Sequence, residues 1–242
     1  MSNSQSQKKG KLYLIPTPLA ENTLDKFITN EMKTIIKELD YYLVENARTA
    51  RRFISSLSLG ITIEDLHFEL LNKDTSHHQV EPICSPLLSG RNIGLMSEAG
   101  CPGIADPGNL AVQFAHNHSV MVTPLVGPSS IFMALMASGF NGQSFVFHGY
   151  LPIEKDKRLK RISDLEKEAY QKNQTQIFME TPYRNDQLLR DIMKKCKPDT
   201  RLCVARDISG NQEMIVTRTI KDWRKDPIKL HKIPAVFLLY KS

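Results

Sequence analysis

The sequence predicts an α/β protein built as two α/β domains, and three observations predict it. Through the first half, short β-prone runs alternate with amphipathic helical segments, the pattern of a largely parallel sheet. Toward the end of the second half, strands follow one another at short spacing, as in a mixed sheet with hairpins. The charge changes where the pattern does: residues 1–124 hold 11 Lys+Arg against 13 Asp+Glu, and residues 125–242 hold 21 against 13. A chain of 242 residues suits one large domain or two ordinary ones. A junction near residue 125 gives domains 11–124 and 125–242, preceded by a polar tail, 1–10, expected to be disordered.

KLYLI (11–15) is apolar and β-prone, and Pro16 and Pro18 stop it. Leu24, Phe27, Ile28, Met32, Ile35, Ile36 and Leu39 recur at spacings of three and four, which predicts a helix over 24–39. YYLVE (41–45) reads as a buried strand, 47–58 as a helix with Arg48, Arg51 and Arg52 on one face, and HFELL (67–71) as a weaker strand. A helix over 78–89 is interrupted by Pro82 and Pro86. NIGLM (92–96) is a strand that runs into a Gly/Pro-rich loop, 97–108, followed by a helix (109–117) and a strand (120–125).

After Gly127-Pro128 come an apolar helix (129–138), a strand (144–150) and a highly charged helix (154–170). Strands at 176–180, 201–206, 213–218 and 235–240 complete the reading, with a helix over 183–196.

Composition excludes several classes. The chain is 41% apolar, enough to bury a sizeable core, so global disorder is excluded. Cys84, Cys101, Cys196 and Cys203 are scattered, with no C-x-x-C pair, which argues against a zinc ribbon or redox motif; no metal site is expected. The start, MSNSQSQKKG, has no apolar core of a secretory signal, and no run of 18 apolar residues occurs. A reduced, cytoplasmic protein with no membrane span is the expectation. The phosphate loop G-x-x-x-x-G-K-[ST], the dinucleotide fingerprint and the G-x-S-x-G elbow are all absent.

The formal net charge of +6 sits wholly in the second half. It is read either as a solvated surface or as the footprint of a polyanionic partner, RNA or a small polycarboxylate. Its densest run is Lys155, Lys157, Arg158, Lys160 and Arg161.

The most unusual segment is Ser97-Glu98-Ala99-Gly100-Cys101-Pro102-Gly103-Ile104-Ala105-Asp106-Pro107-Gly108. It leaves the carboxyl end of a strand, where open α/β sheets bind ligands. Its glycines allow close backbone approach and its prolines stiffen it. Pro16-Thr17-Pro18-Leu19 and Val126-Gly127-Pro128-Ser129-Ser130 also follow strands, and Ser129 or Ser130 can cap the next helix.

Six segments in order carry a resemblance: the strand and T-P at 12–18, V-E-x-x-R-T at 44–49, the 97–108 loop, G-P-S-S at 127–130, F-H-G-Y-L-P at 147–152 and F-M-E-T-P-Y-R at 178–184. Together they resemble the tetrapyrrole methylase family of S-adenosylmethionine-dependent methyltransferases. The likeness is to the branch that methylates ribose 2′-hydroxyls of small-subunit ribosomal RNA, and it covers residues 11–240. It implies two α/β domains with S-adenosyl-L-methionine in a cleft between them, usually in a homodimer. It carries cofactor contacts onto Pro18, Ala99, Gly100, Cys101, Ile104, Ser129 and Ser130, and further onto Glu180 and Ser209.

The sequence departs from that branch at Leu19-Ala20-Glu21-Asn22, at Asn46 and at Glu98. The first-loop and Asn46 departures lie where the substrate would enter, so they bear on substrate identity rather than on cofactor binding. A ribose hydroxyl is a poor acid, so a base helps. Glu45 is the candidate, with a salt bridge to Arg48 or a neighbouring helix as its alternative role. Arg48, Arg51 and Arg52 either fork onto phosphates or form a solvated helix face. Tyr183 and Arg184 either stack on and pair with a substrate base or open a helix. A tetrapyrrole (corrin/porphyrin) methyltransferase and a non-catalytic RNA- or cofactor-binding relative are the rival readings.

Overall fold

A computed structural model of the chain describes residues 8–241. They fall in two compact units that divide between Pro128 and Ser129. Most of the expected tail, residues 1–7, lies outside the described residues. Of its remainder, Lys9 Nζ donates to the His118 carbonyl and Gly10 N to that of Leu87.

The first unit runs β1 (Lys11–Ile15), α1 (Asn30–Glu38), β2 (Tyr41–Val44), α2 (Ala47–Ser56), β3 (His67–Leu70), α3 (His77–Cys84), β4 (Ile93–Met96), α4 (Asn109–Asn117) and β5 (Met121–Pro124). Its sheet has the order β3-β2-β4-β1-β5, with every pairing parallel. Connections after β1 and β2 step one way across the sheet; those after β3 and β4 step the other way. Right-handed crossovers then place α1 and α2 on one face and α3 and α4 on the opposite one. The side chains agree. Met32, Ile36, Phe53 and Ile54 pack with Ile15, Val44 and Met96, whereas Val80, Cys84, Phe114 and Ala115 pack with Leu12, Leu43 and Leu95. Covered on both faces, β2 and β4 are buried throughout, which is why they read as unbroken apolar runs.

Two helices differ from the sequence expectation. The 24–39 segment divides into a 3₁₀ turn, Leu24–Lys26, and α1, because the Thr29 hydroxyl accepts from Met32 N at 3.1 Å and starts a new helix. The 78–89 segment ends as α-helix at Cys84 and continues as a 3₁₀ turn, Ser85–Ser89, which Gly90 closes at φ 95°. Pro82 lies inside α3, whereas Pro86 lacks the amide that would bond the Pro82 carbonyl, so the α-helical ladder stops there.

The second unit runs α5 (Ser130–Ser138), β6 (Phe145–Tyr150), α6 (Lys155–Lys172), β7 (Thr175–Met179), α7 (Asn185–Lys195), β8 (Arg201–Arg206), β9 (Met214–Thr219), α8 (Ile220–Lys225) and β10 (Ala235–Tyr240). Its sheet is mixed, in the order β6-β7-β10-β8-β9. Only β6–β7 is parallel. Ile162 and Leu165 of α6, Leu188 and Ile192 of α7 and Trp223 of α8 pack on Phe178, Leu202 and Phe237. Helix α5 packs against β9 and β10, and the Thr217 hydroxyl donates to the Ser138 carbonyl at 2.7 Å.

Helix α8 is too short to show a helical period in the sequence. Thr219 caps it by accepting from Asp222 N, and Trp223, fully buried, donates Nε1–H to the Leu202 carbonyl at 2.9 Å. Among the described residues no helix is long and apolar enough to cross a membrane.

Candidate active site

In the first sheet β4 and β1 are neighbours whose connections leave in opposite directions. Such a switch point opens a crevice at the carboxyl ends of the strands. Parallel register brings those ends level, Ile15 and Val44 both lying opposite Met96. The loops after β1, β2 and β4 therefore start side by side.

Backbone hydrogen bonds tie the first and last of these loops together. Thr17 N donates to Gly100 O at 3.0 Å and Gly100 N to Thr17 O at 3.1 Å. Thr17 Oγ1 donates to Ser97 O, and Ser97 Oγ to Gly100 O, both at 3.2 Å. Gly100 sits at φ 79°, and a Cβ there would lie 3.1 Å from Leu19 Cδ2. Gly127 is required for a different reason: its Cβ would fall 2.2 Å from Cβ of Pro16. The glycines of the two motifs thus let three loops close on one another.

Asp106 organises the far half of the 97–108 loop. Its carboxylate accepts from Gly103 N at 2.9 and 2.8 Å and from Gly108 N at 2.6 Å. Burial pushes its pKa up from the ordinary aspartate value, and these amide donors pull part of the rise back. Cys101 donates Sγ–H to the Pro128 carbonyl at 3.3 Å, and burial raises its thiol pKa. Ile104 is 53% exposed.

Glu45 follows β2. Its Oε1 accepts from Glu98 N at 3.0 Å, so the partner is the 97–108 loop and not Arg48. Burial raises its pKa above the usual glutamate range; the Glu98 amide offsets this in part, and the charges of Asp106 and Glu98 add to it. Next to it Asn46 Oδ1 accepts from Arg48 N at 2.9 Å and Thr49 N at 3.4 Å, capping α2. An asparagine serves that cap as well as the aspartate of the resembling branch, so this departure leaves the local fold unchanged.

A cavity of about 410 Å³ lies beside these loops, lined by Thr17, Pro18, Asn22, Arg52, Phe53 and Glu98 among others. The Leu19–Asn22 segment forms part of its wall, together with Thr49, Ser56 and Ala99. Arg48, Arg51 and Arg52 are exposed. Arg51 differs from the other two, its guanidinium stacking over the Phe68 ring at 5.2 Å.

The remaining sequence-predicted residues lie in the second unit. Ser129 occupies the N-cap position of α5 without a side-chain capping bond, and Ser130 is the first residue of that helix. Glu180, with its side chain 1% exposed, pairs with Arg184 at 2.6 Å and accepts from Thr181 N at 2.7 Å. Arg184 is therefore committed within its own loop, whereas Tyr183 is 71% exposed. Ser209 adopts φ 67°, and its amide donates to Glu213 Oε2.

The basic run on α6 also divides. Arg158 is buried and forms a forked pair with Asp191 at 2.9 and 2.7 Å, with further bonds to the carbonyls of Pro152 and Ile153. Arg161 bonds to Glu168 and to His148 Nδ1. A regular charge count cannot separate these structural arginines from free ones.

This switch-point crevice, walled by glycine-rich loops and supplied with one half-buried carboxylate, defines a small-molecule-dependent α/β enzyme site. The chain belongs to the tetrapyrrole (corrin/porphyrin) methylases, whose sequence profile matches residues 26–223, and is a methyltransferase of that family. The ribosomal RNA small subunit methyltransferase I of Bacillus subtilis (strain 168) is 31% identical over 222 residues, covering 92% of this chain and 72% of that protein. The protein of the same name from Buchnera aphidicola subsp. Acyrthosiphon pisum is 29% identical over 233 residues, covering 95% and 78%. Among solved structures, that of the methyltransferase CobJ superposes with a TM-score of 0.62 over 96% of this chain and 95% of that one, at 14% identity. That likeness is one of fold.

Proposed function

We propose that this protein transfers a methyl group from S-adenosylmethionine to a ribose 2′-hydroxyl of small-subunit ribosomal RNA, acting in the cytoplasm as a homodimer. The observation that carries the reading is the convergence of Thr17-Pro18, Glu45 and the 97–108 loop beside the 410 Å³ cavity, in a chain about 30% identical to curated relatives of that name.

The residues fit the cofactor. The 97–108 loop holds two acids and no Lys or Arg, which suits a cationic sulfonium. Pro18, Ala99, Gly100, Cys101 and Ile104 would hold it, and Ser129, Ser130, Glu180 and Ser209 carry the same role by resemblance. S-adenosylmethionine supplies the methyl group as an electrophile on sulfur.

The chain's own residues do the rest. Glu45 is held by Glu98 N at Oε1, which fixes its carboxylate and leaves Oε2 to accept the proton of the ribose hydroxyl. The raised pKa makes it a stronger base than a free glutamate. Arg48 and Arg52, exposed on α2, hold phosphates flanking the acceptor ribose; Arg51 contributes less because Phe68 engages it.

Incubating the protein with methyl-labelled S-adenosylmethionine and small subunits from a strain lacking this gene tests the reading. Label is expected in the small-subunit RNA, on a ribose oxygen. Label in a tetrapyrrole and none in RNA would replace the proposed acceptor.

A further inference from the structure

The antiparallel pairing of β10 with β7 brings the start of β10 next to the end of β7, Val236 lying opposite Met179. The segment 229–233, just before β10, therefore meets the T-P-Y-R turn after β7. Three hydrogen bonds lock them. Lys232 N donates to Pro182 O at 3.0 Å, Leu230 N to Asp186 Oδ1 at 2.6 Å, and Asn185 Nδ2 to Ile233 O at 2.7 Å. Arg206 adds a bond to the Lys229 carbonyl at 3.1 Å. Lys232 is held in the left-handed region at φ 62°, a backbone state that L side chains rarely adopt.

On this locked base stands an exposed aromatic. Tyr183, 71% exposed, meets His231 edge-on with ring centroids 6.3 Å apart, and Lys232 Nζ lies 6.0 Å from its centroid. His231, Lys232 and Lys229 are themselves exposed. Among the described residues, the buried side-chain polar atoms without a hydrogen-bond partner are Asn185 Oδ1 and Arg206 Nε, both on side chains that brace this segment. Unsatisfied buried groups in a folded protein call for an explanation.

We infer that Tyr183, His231 and Lys232 form a stacking platform for an unpaired nucleobase of the substrate RNA, with the Lys232 and Lys229 ammonium groups meeting the adjoining phosphates. The inference rests on the RNA reading above and adds to it the surface and the form of RNA recognised. Every base offers a π-face, so an exposed aromatic flanked by cations takes single-stranded RNA with little sequence preference. Paired bases are shielded in a duplex, so the platform discriminates against double strands. The charge is complementary: Lys229 and Lys232 present exposed ammonium groups on this segment. The fixed turn also lowers the ordering cost of binding.

The test compares the full-length protein with Tyr183→Ala, Tyr183→Phe and Lys232→Ala. Each is titrated with a single-stranded segment of small-subunit RNA and with the same segment annealed to its complement, over a range of salt. Tyr183→Ala is expected to bind the single strand about tenfold more weakly, with duplex binding unchanged and Tyr183→Phe close to wild type. Lys232→Ala is expected to lower the slope of log affinity against log salt by about one. Thermal melting and S-adenosylmethionine binding serve as controls, and these exposed substitutions should leave both unchanged. Single-strand affinity of Tyr183→Ala within twofold of wild type overturns the inference, as does equal loss on the duplex. A Tyr183→Phe variant as weak as Tyr183→Ala overturns it too, since the contact would then be the hydroxyl's. Wild-type protein that neither binds nor methylates RNA overturns the RNA reading itself, whereas active wild type with indifferent variants overturns the platform alone. Loss of binding to a protein partner in place of RNA would assign the surface elsewhere.

Discussion

All five strands of the first sheet run the same way, whereas in the second β9 and β10 run against β6, β7 and β8, and only the β6–β7 pairing is parallel. The parallel sheet gathers every strand-to-helix loop at one end, and those loops spend their polar groups on one another: Thr17 on Gly100, Glu45 on Glu98, Asp106 on Gly103 and Gly108. The mixed sheet brings a strand end and a strand start together, which is how Tyr183 meets His231 and Lys232. One arrangement builds a rigid crevice from backbone; the other builds an exposed surface from side chains. The contrast teaches that the basic excess of the second half is a poor guide to its working surface. Arg158, Arg161 and Arg184 are spent internally, while a few residues outside the charge run stay open.

The sharpest way to break this contrast is at Glu45. Glu45→Gln keeps an oxygen for the Glu98 amide but removes the base, and methyl transfer should fall about 10²- to 10⁴-fold in single-turnover rates. Its pH profile sharpens the point. The carboxylate is the active form and burial raises its pKa, so wild-type kcat/KM should drop as pH falls, with a midpoint above that of an ordinary glutamate. Glu45→Gln should flatten that limb.

The second unit should respond in stability instead. Arg158→Ala leaves Asp191 buried without its cation, and denaturant melting should show a loss of about 3–5 kcal/mol. RNA affinity measured on the folded fraction should be little changed, because Arg158 is not a surface cation. Between these lies Asp106→Ala. It removes the acceptor for Gly103 N and Gly108 N and should cost about 1–3 kcal/mol in melting for each buried amide left unpaired. S-adenosylmethionine affinity should weaken with it by calorimetry. The smallest effect separates two neighbours on α2. Arg52→Ala should weaken RNA binding a few-fold and reduce the salt slope by about one. Arg51→Ala should do less, since its guanidinium rests on Phe68.

Much of the first unit was legible in the sequence. The buried runs of β2 and β4, the basic face of α2 and the 97–108 loop are local signals, and local signals survive folding. The break at Thr29 was less visible because the apolar spacing continues across it, and only the capping bond to Met32 N separates the two helices. Helix α8 was missed because six residues carry no period, although Thr219 and Asp222 mark its start.

The candidate site was legible in part. Its glycines and Asp106 sit in one segment, but the Thr17–Gly100 bridge depends on strand order. The placement of His231 and Lys232 beside Tyr183 was not legible at all, because it follows from long-range antiparallel pairing. The burial of Arg158 belongs to the same class: its partner Asp191 lies 33 residues away, beyond β7.

The most direct test of the account is mass-spectrometric mapping of small-subunit ribosomal RNA from cells carrying the gene, lacking it, or carrying Glu45→Gln. The account predicts one ribose methylation present with the wild-type gene and missing, or sharply reduced, in the other two. Identical methylation in all three would contradict it.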